Sequence, residues 1–205
     1  MILEAKNLQC LRGHRQLFNG LNVRLTSGDI LLVEGNNGSG KSTLLKILSG
    51  LRVPDQGEVC WHGKPLAIAG NEYSKQMVWL SHRNGINESM TAKENVQIMS
   101  SLTNSYGANI GDVLDRVGLR GHANTPVRQF SAGMKRRLAL TRLLTKKAKL
   151  WILDEPQGAL DKAGIDLLET LVKNQATCGG IVIMSSHHDV SFDDASVKTL
   201  TLSGL

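Results

Sequence analysis

The chain has 205 residues, 41% hydrophobic and 20% charged, with a formal net charge of +6 and a pI near 9.4. This length allows one well-packed domain and not two full ones, and the composition excludes a disordered or fibrous protein. The basic balance suits nucleic acid, anionic lipid headgroups or a nucleotide, and charge alone does not choose among them.

Membrane-crossing and secretion signals are not found in the sequence. The longest apolar runs, such as residues 30–33, fall far short of the roughly 18 residues that a spanning helix needs. The amino terminus lacks the basic-then-apolar order of a secretion signal. The three cysteines, Cys10, Cys60 and Cys178, lack zinc-site spacing and are predicted to be core thiols. We therefore expect a cytoplasmic chain that does not itself span a membrane.

The first fifty residues predict a small antiparallel sheet followed by a strand, a loop and a helix. Apolar and polar residues alternate at first, with a turn at Gly13-His14. Residues 29–34 are typical of a buried strand that runs into a glycine-rich loop. Helix-forming residues then extend from Lys41 to Ser49, and Gly50 stands where a C-terminal glycine cap belongs.

The middle of the chain changes from strand to helix signals. After a turn at 54–57, strands are predicted at Glu58–His62 and Met77–Ser81. The sequence Thr91-Ala92-Lys93-Glu94 matches a capping box, in which the first and last side chains bond each other's backbone amides. Helical spacing broken by glycine and proline follows. We interpret roughly 85–130 as a helical insertion.

The last part of the chain alternates strands with a helix. Strands are predicted at Leu150–Leu153 and Ile181–Met184, a helix begins after Asp161 between them, and a final strand covers Val197–Leu202. Strands that alternate with helices imply a parallel sheet with crossover connections. The predicted class is therefore α/β with a parallel sheet, an N-terminal antiparallel β part and an α-helical insertion.

The strongest chemical signal is a glycine-rich loop between the strand at 29–34 and the following helix. Its nucleotide-binding residues are Gly35, Asn36, Asn37, Gly38, Ser39, Gly40, Lys41, Ser42 and Thr43. The first eight fit the pattern Gly-x-x-x-x-Gly-Lys-Ser of a phosphate loop, in which backbone amides and the helix N-terminus face phosphate oxygens. Lys41 would reach the β- and γ-phosphates, and the Ser42 hydroxyl would bind Mg²⁺.

The second signal is a pair of carboxylates at the end of the strand Leu150–Leu153. Ligands bind at the carboxyl ends of strands in an open parallel sheet. Asp154 is predicted to hold Mg²⁺ through water, and Glu155 to polarise the attacking water as a general base. Acidic turn residues after a strand are common, so the catalytic interpretation of this pair depends on the phosphate loop upstream.

The third signal is Ser131-Ala132-Gly133, which begins an amphipathic helix with Ser131 as a suitable N-cap. A capped helix without any further role explains these residues equally well on their own. The basic residues in and after it are Lys135, Arg136, Arg137, Arg142, Lys146, Lys147 and Lys149. They are predicted to form a solvated helix face, with an interfacial lipid contact as the alternative.

Together these motifs resemble the ABC ATPases, and the resemblance covers nearly the whole chain. Ser131-Ala132-Gly133 resembles the family's signature sequence, Gly158 to Asp161 its D-loop, and His187 its switch histidine, which contacts the γ-phosphate. The resemblance implies a P-loop NTPase fold with a RecA-like core at about 1–84 and 131–205 and a helical subdomain at about 85–130. It also implies a sandwich of two copies, in which the signature acts on the opposite copy's nucleotide.

Within that family the chain resembles the ATPases of cytochrome c maturation, on residues 54–63, 130–133 and 151–156. This implies Mg²⁺ with ATP as the ligand and a haem-transporting ATPase, coupled to haem export or to release of a haem-loaded chaperone. The implied partners are an integral membrane permease and further maturation proteins at the inner membrane, where the chain would lie peripherally on the cytoplasmic face. No nucleic acid partner is expected.

Three positions depart from the family pattern, and the mildest is Met134, which stands where the signature has glutamine. Arg83 stands where ABC ATPases carry a magnesium-binding glutamine, and an arginine has no acceptor with which to bind a cation. Arg12 stands near where an aromatic ring usually stacks on adenine, and its guanidinium plane can stack in the same way. With Glu155 intact and Arg83 altered, we expect real hydrolysis that is slow without partner subunits.

Other functions share some of these motifs. The chain could serve another small-molecule or lipid exporter, act as a soluble ABC ATPase on DNA or the ribosome, or be a non-hydrolysing nucleotide sensor. A small P-loop kinase would need the phosphate loop alone and not the signature, the D-loop or the switch histidine.

Overall fold

The computed structural model describes residues 1–102, 109–186 and 197–203. The strands are β1 (Ile2–Arg12), β2 (Arg15–Thr26), β3 (Ile30–Glu34), β4 (Gln56–Trp61), β5 (Lys64–Pro65), β6 (Met77–Leu80), β7 (Leu150–Leu153), β8 (Ile181–Ser185) and β9 (Val197–Thr201). The helices are α1 (Lys41–Leu48), α2 (Leu66–Gln76), α3 (Ala92–Leu102), α4 (Ile110–Arg116), α5 (Ala132–Thr145) and α6 (Lys162–Thr177), with short 3₁₀ helices at Arg120–His122 and Val127–Gln129.

The strands form two sheets of different kinds. One is five-stranded with the order β6-β7-β8-β3-β9, and each neighbouring pair in it is parallel. The other is antiparallel with the order β2-β1-β4-β5. The predicted α/β class, with a parallel sheet and an N-terminal antiparallel part, is confirmed.

The parallel sheet packs against a separate core on each face. Side chains alternate along each strand, so successive residues point into different cores. Ile30 and Leu32 of β3 point into a core that also contains apolar residues of α3, α4, α5 and α6. Leu31 and Val33 point into a second core, shared with α1 and with the antiparallel sheet. A strand covered on both sides reads as a continuous apolar run, which is what made β3, β7 and β8 recognisable in the sequence.

Helix α1 matches its prediction closely and α2 was missed. Gly40, at the N-cap of α1, has φ 106°, and Gly50, just beyond its C-terminus, has φ 75°. Both are left-handed conformations that glycine adopts without steric cost. Helix α2 turns Leu66, Ala69 and Tyr73 towards a core at helical spacing, but the exposed apolar residues Ala67 and Ile68 obscure this spacing in the sequence.

The predicted capping box at the start of α3 is present. The amide of Thr91 donates to Glu94 Oε2 (2.7 Å), and the amide of Glu94 donates to Thr91 Oγ1 (3.2 Å). The bond from the Thr91 amide and a second bond from the Thr91 hydroxyl to the Glu94 carboxylate hold the pKa of Glu94 below its usual value. The helices and 3₁₀ turns from Ala92 to Gln129 fall inside the predicted insertion at 85–130, whose boundaries as a subdomain stay a prediction.

Two sequence predictions about burial were wrong in part. Cys10 and Cys60 are buried, but Cys178 is exposed because it lies in the turn that ends α6. The predicted solvated basic face fails at Arg136, which is only 3% exposed because its side chain points to the carboxyl edge of the parallel sheet. Four further basic residues of this face are half-buried, namely Lys135, Arg137, Arg142 and Lys146. Lys147 and Lys149 are exposed as predicted. In the described ranges, no helix has both the length and the hydropathy of a membrane span.

A bulge in β1 depends on Gly57 of β4. The pairing of β1 with β4 shifts register between Lys6 and Gln9, opposite Gly57, which has φ 83°. A Cβ at this position would collide with the carbonyl oxygens of Lys6 and Asn7. Backbone atoms cannot rotate away as a flexible side chain can, so the sheet itself would have to move.

We predict that Gly57→Ala lowers the free energy of unfolding by roughly 3 kcal/mol, since overpacking adds to backbone strain. Gly63→Ala is the matched control, because Gly63 has φ 78° and nothing within 4 Å of a Cβ. The control is expected to lose only about 1 kcal/mol, the cost of left-handed backbone. Urea unfolding of both variants measures the difference, and equal losses would contradict the proposed collision.

Candidate functional site

The loop from Gly35 to Gly40 joins β3 to α1 at the carboxyl edge of the parallel sheet. Gly35, Gly38 and Gly40 have φ 139°, 80° and 106°, values that favour glycine. Gly35 is also constrained by space, since a Cβ there would meet Ser39 Oγ at 2.7 Å and collide with the carbonyl of Leu202. The glycines of the motif are therefore required by backbone shape.

The side chains of Ser39 in this loop and of Lys41 at the start of α1 are buried, whereas Asn36 and Asn37 are exposed. Lys41 is 5% exposed, and its Nζ donates to the carbonyl oxygens of Gly35 (2.6 Å) and Asn36 (3.2 Å). The Oγ of Ser39 is buried and finds no hydrogen-bond partner among the residues described. A buried ammonium and an unsatisfied hydroxyl next to the N-terminus of α1 form a pocket whose polar groups suit an anion.

A hydrogen-bond network joins the loop to the two carboxylates. Ser42 Oγ donates to Asp154 Oδ1 (2.9 Å), and Ser185 Oγ donates to the same oxygen (2.9 Å). The amide of Glu155 donates to Ser185 Oγ (2.9 Å). Asp154 is 3% exposed, and two hydroxyl groups of the chain satisfy its buried Oδ1.

Glu155 follows Asp154 in an unusual backbone conformation. Its φ is 47°, a left-handed value that costs a non-glycine residue about 1 kcal/mol. Its side chain is 30% exposed, and Oε2 lies 3.5 Å from Nδ1 of His82. Arg83 is exposed, and its carbonyl oxygen accepts a bond from Ser81 Oγ (2.6 Å). The segment after β6 thus places His82, and not Arg83, beside the carboxylate.

Residues of the glycine-rich loop, of α1 and of the turn after β7 line one cavity of about 170 Å³. Its walls include Lys41, Ser42 and Thr43 on one side and Glu155 on the other. Arg12, at the end of β1, also lines it, so the antiparallel sheet contributes a cation to the opening. The structure brings together the predicted loop residues, both predicted magnesium ligands and the predicted base.

The predicted signature residues lie elsewhere, on a second surface. Ser131 caps α5 by accepting a bond from the amide of Met134 (3.2 Å). Ser131, Gly133 and Asp161 line a cavity of about 440 Å³ that shares no lining residue with the first. Ala132 is exposed at the same helix start. A Cβ on Gly133 would come within 3.0 Å of the carbonyl of Ala159, so this surface is tightly packed.

Asp161 joins this second surface to two helices. It caps α6 by accepting a bond from the amide of Gly164 (3.0 Å), and it pairs with Arg137 of α5. The hydrogen bond from Arg137 is the main cause that lowers the pKa of Asp161, and the N-cap bond adds to it. Asp161 is therefore anionic over the physiological range.

The sequence reasoning missed two residues that touch the carboxylates. Ser185 ends β8 next to β7, and its place at the carboxyl edge of the sheet was the signal that could have found it. Arg136 was assigned to a solvated face, although its guanidinium donates to the carbonyl of Glu155 (2.7 Å). The predicted switch residue His187 lies outside the described residues.

The chain matches proteins of known family over most of its length. The ABC transporter family model covers residues 18–158. The cytochrome c biogenesis ATP-binding export protein CcmA of Aliivibrio fischeri is 40% identical over 202 residues, 98% of this chain and 99% of that protein. The protein of the same name from Methylococcus capsulatus is 44% identical over 198 residues, covering 95% and 96% respectively.

A solved structure has the same fold. The putative ABC transporter (ATP-binding protein) from Pyrococcus furiosus superposes with a TM-score of 0.83 at 22% identity, over 98% of each chain. The loop at the sheet edge, its buried lysine and the adjacent carboxylates are thus found in a chain that also matches the family model over more than half its length. The chain belongs to the ABC transporter family and is an ATP-binding domain of that family.

Proposed function

We propose that this chain hydrolyses ATP as one of two copies in a sandwich and that it powers a membrane complex of cytochrome c maturation. The observation that carries the ATPase part is the bond between Ser42 and Asp154 at the wall of the loop cavity (2.9 Å). It places two hard oxygen ligands beside a loop whose glycine backbone and buried lysine fit phosphate. The cavity also contains Glu155, a carboxylate for water activation.

The residues present fit Mg²⁺ bound together with ATP. Among the described residues no group of three or more His, Cys, Asp or Glu side chains forms a metal site. Magnesium in nucleotide sites takes one or two protein oxygens and otherwise phosphates and waters, and Ser42 and Asp154 supply that number. When bound, the ion neutralises charge that develops on the β- and γ-phosphate oxygens.

The chain's own groups account for the hydrolytic step. Lys41 and the backbone amides of the loop bind the β- and γ-phosphates and hold the γ-phosphorus near Glu155. The Glu155 carboxylate accepts a proton from water while the water oxygen bonds to the γ-phosphorus. The bond between that phosphorus and the β,γ-bridging oxygen breaks, and ADP leaves with the electron pair. We assign Arg12 to stacking on the adenine at the rim and, from the family resemblance alone, His187 to the γ-phosphate.

Two separate surfaces support the proposed pairing of two copies. Ser131 and Gly133 line a cavity that contains none of the phosphate-loop residues, and in the proposed pair they complete the nucleotide site of the other copy. The N-terminal end of α5, where the helix dipole is positive, suits a phosphate there. A symmetric sandwich then has two equivalent sites, each with a loop from one copy and Ser131, Ala132, Gly133 and the Asp161 loop from the other.

The pathway part is supported by relatives of nearly the same length. Proteins named cytochrome c biogenesis ATP-binding export protein match at 40% and 44% identity over 95% or more of both chains. The cargo is haem or a haem-loaded chaperone, and the partner is an integral membrane permease to which this chain binds at the cytoplasmic face of the inner membrane. Family membership argues against a small P-loop kinase, while another small-molecule or lipid exporter stays the second candidate.

Lys41→Ala is predicted to weaken ATP binding at least about 10-fold, because it removes a charged donor from the phosphate pocket. Lys46→Ala is the matched control, since Lys46 lies on the same helix and is exposed. Equilibrium binding of a fluorescent ATP analogue gives both dissociation constants. If Lys41→Ala binds as tightly as the parent chain, the phosphate-loop assignment is wrong.

Glu155→Gln is predicted to slow ATP hydrolysis roughly 100- to 1000-fold, because the amide cannot accept the water proton. ATP should then hold two copies together, which gel filtration would show as an ATP-dependent dimer. Glu72→Gln removes one exposed carboxylate on α2 and is expected to hydrolyse ATP at the parent rate. Equal rates for Glu155→Gln and the parent would remove Glu155 from the mechanism.

Cells of the native source whose sole copy carries Glu155→Gln are predicted to lose c-type cytochromes. Staining of covalently bound haem on denaturing gels measures them, and non-covalent b-type cytochromes in the same membranes serve as the control. The parent chain should also copurify with an integral membrane protein in mild detergent. Normal c-type cytochromes in these cells would favour a different exporter.

A further inference from the structure

Arg136 of α5 is a buried cation whose hydrogen-bonding capacity is fully used. Only 3% of the residue is exposed, and burial is the main cause that lowers its pKa, against the opposing charges of Asp154 and Glu155. An arginine has five N–H donors in a rigid planar fork, and it remains a cation at physiological pH. Each of the five donors has an acceptor in this structure.

Three of these bonds go to consecutive carbonyl oxygens after β7. Nε donates to Pro156 (3.0 Å), and Nη2 donates to Asp154 (3.3 Å) and Glu155 (2.7 Å). These carbonyls belong to the turn in which Glu155 has its left-handed φ of 47°. A strained backbone persists only when surrounding contacts determine it, and a fork that binds three successive carbonyls is such a contact.

The other two bonds go to the segment that follows β6. Nη1 donates to the carbonyl of Ser81 (3.0 Å) and to Asn84 Oδ1 (3.1 Å). This is the segment whose His82 lies 3.5 Å from the Glu155 carboxylate. One guanidinium therefore ties the backbone of the predicted base to the segment that contacts its side chain.

We propose that Arg136 is a positioning residue for Glu155, which fixes the turn at 154–156 and makes it move together with residues 81–84. This inference rests on the proposed ATPase function. Arg136 is not itself a catalytic residue, since its contacts are backbone carbonyls and one amide side chain. Its fork is required because a lysine ammonium at this place is a point donor that cannot reach five acceptors.

Arg142 offers a natural comparison on the same helix. It is also partly buried and donates to two backbone carbonyls, those of Trp79 (3.2 Å) and Gly85 (3.1 Å). Its hydrogen bonds thus hold the same segment after β6, but among its described contacts there is no bond to residues 154–156. A change at Arg142 costs packing and hydrogen bonds, and it leaves the turn of Glu155 in place.

The test compares Arg136→Lys with Arg142→Lys in the full chain. Arg136→Lys should lower kcat roughly 100-fold, the loss that a small misplacement of a reacting group can cause. The KM for ATP and the dissociation constant of a non-hydrolysable ATP analogue should stay within about threefold, because the phosphate loop is untouched. Arg142→Lys should keep kcat within about threefold.

A second measurement needs no hydrolysis. In the nucleotide-free chain the amides of Glu155, Gly158 and Leu160 are hydrogen-bonded within or next to the turn. Hydrogen exchange of the peptide that covers 154–160 should be about 10-fold faster in Arg136→Lys and unchanged in Arg142→Lys. Unchanged exchange in Arg136→Lys, or a kcat equal to that of Arg142→Lys, overturns the proposal.

Asn84→Ala tests the bond between Arg136 and the segment after β6. This variant also covers the case in which Arg136→Lys does not fold. It removes one acceptor of the guanidinium and should lower kcat several-fold. In an Arg136→Gln background it should have no further effect, because coupled residues are not additive. A parent-like kcat in Asn84→Ala overturns the link to 81–84. If the parent hydrolyses no ATP, the proposed function fails, while the exchange experiment still decides the role of Arg136.

Discussion

The site depends on a single buried carboxylate. Asp154, only 3% exposed, directly follows β7 and accepts hydroxyl bonds from Ser42 of α1 and from Ser185 of β8. A buried carboxylate without partners would be costly, so these bonds fix where the start of α1 and the end of β8 stand relative to β7. The phosphate loop is attached to the first of these elements, and the Glu155 amide is bonded to Ser185. The positions of the loop, of the proposed metal ligands and of the proposed base therefore all depend on this carboxylate.

The surrounding residues break local rules where the chemistry is expected. Glu155 and Ala159 have left-handed backbone, Ser39 keeps a buried hydroxyl without a partner among the described residues, and Arg136 is a buried cation. Each of these features costs stability, and such costs persist at functional sites because a ligand or a reaction needs them. They cluster around the carboxyl edge of the parallel sheet, whereas the two apolar cores on either side of it follow the ordinary patterns.

The structure shows what surrounds Arg83, where the chain departs from the family pattern. The sequence places Arg83 where a magnesium-binding glutamine is usual, and the structure leaves that side chain exposed. The same segment instead brings His82 to Glu155 and is bonded through Asn84 to Arg136 of α5. Helix α5 also begins with Ser131, on the surface proposed to meet the second copy. Helix α5 thus contacts the turn of Glu155 through Arg136, and its start at Ser131 lies at the proposed dimer interface.

The sequence by itself determined the parallel strands, the phosphate loop, helix α1 and the residues at the ends of β3 and β7, because these depend on local spacing, glycine conformation and runs of apolar residues. It did not show α2, in which exposed apolar residues obscure the helical spacing of the buried ones, and it placed Cys178 and Arg136 wrongly. Whether a side chain on a helix meets solvent or the edge of a sheet is decided by how elements pack over long sequence distances. Only the tertiary structure could therefore show that Ser185 bonds to Asp154. It also shows that Arg136, predicted to be a surface charge, binds the backbone of Glu155.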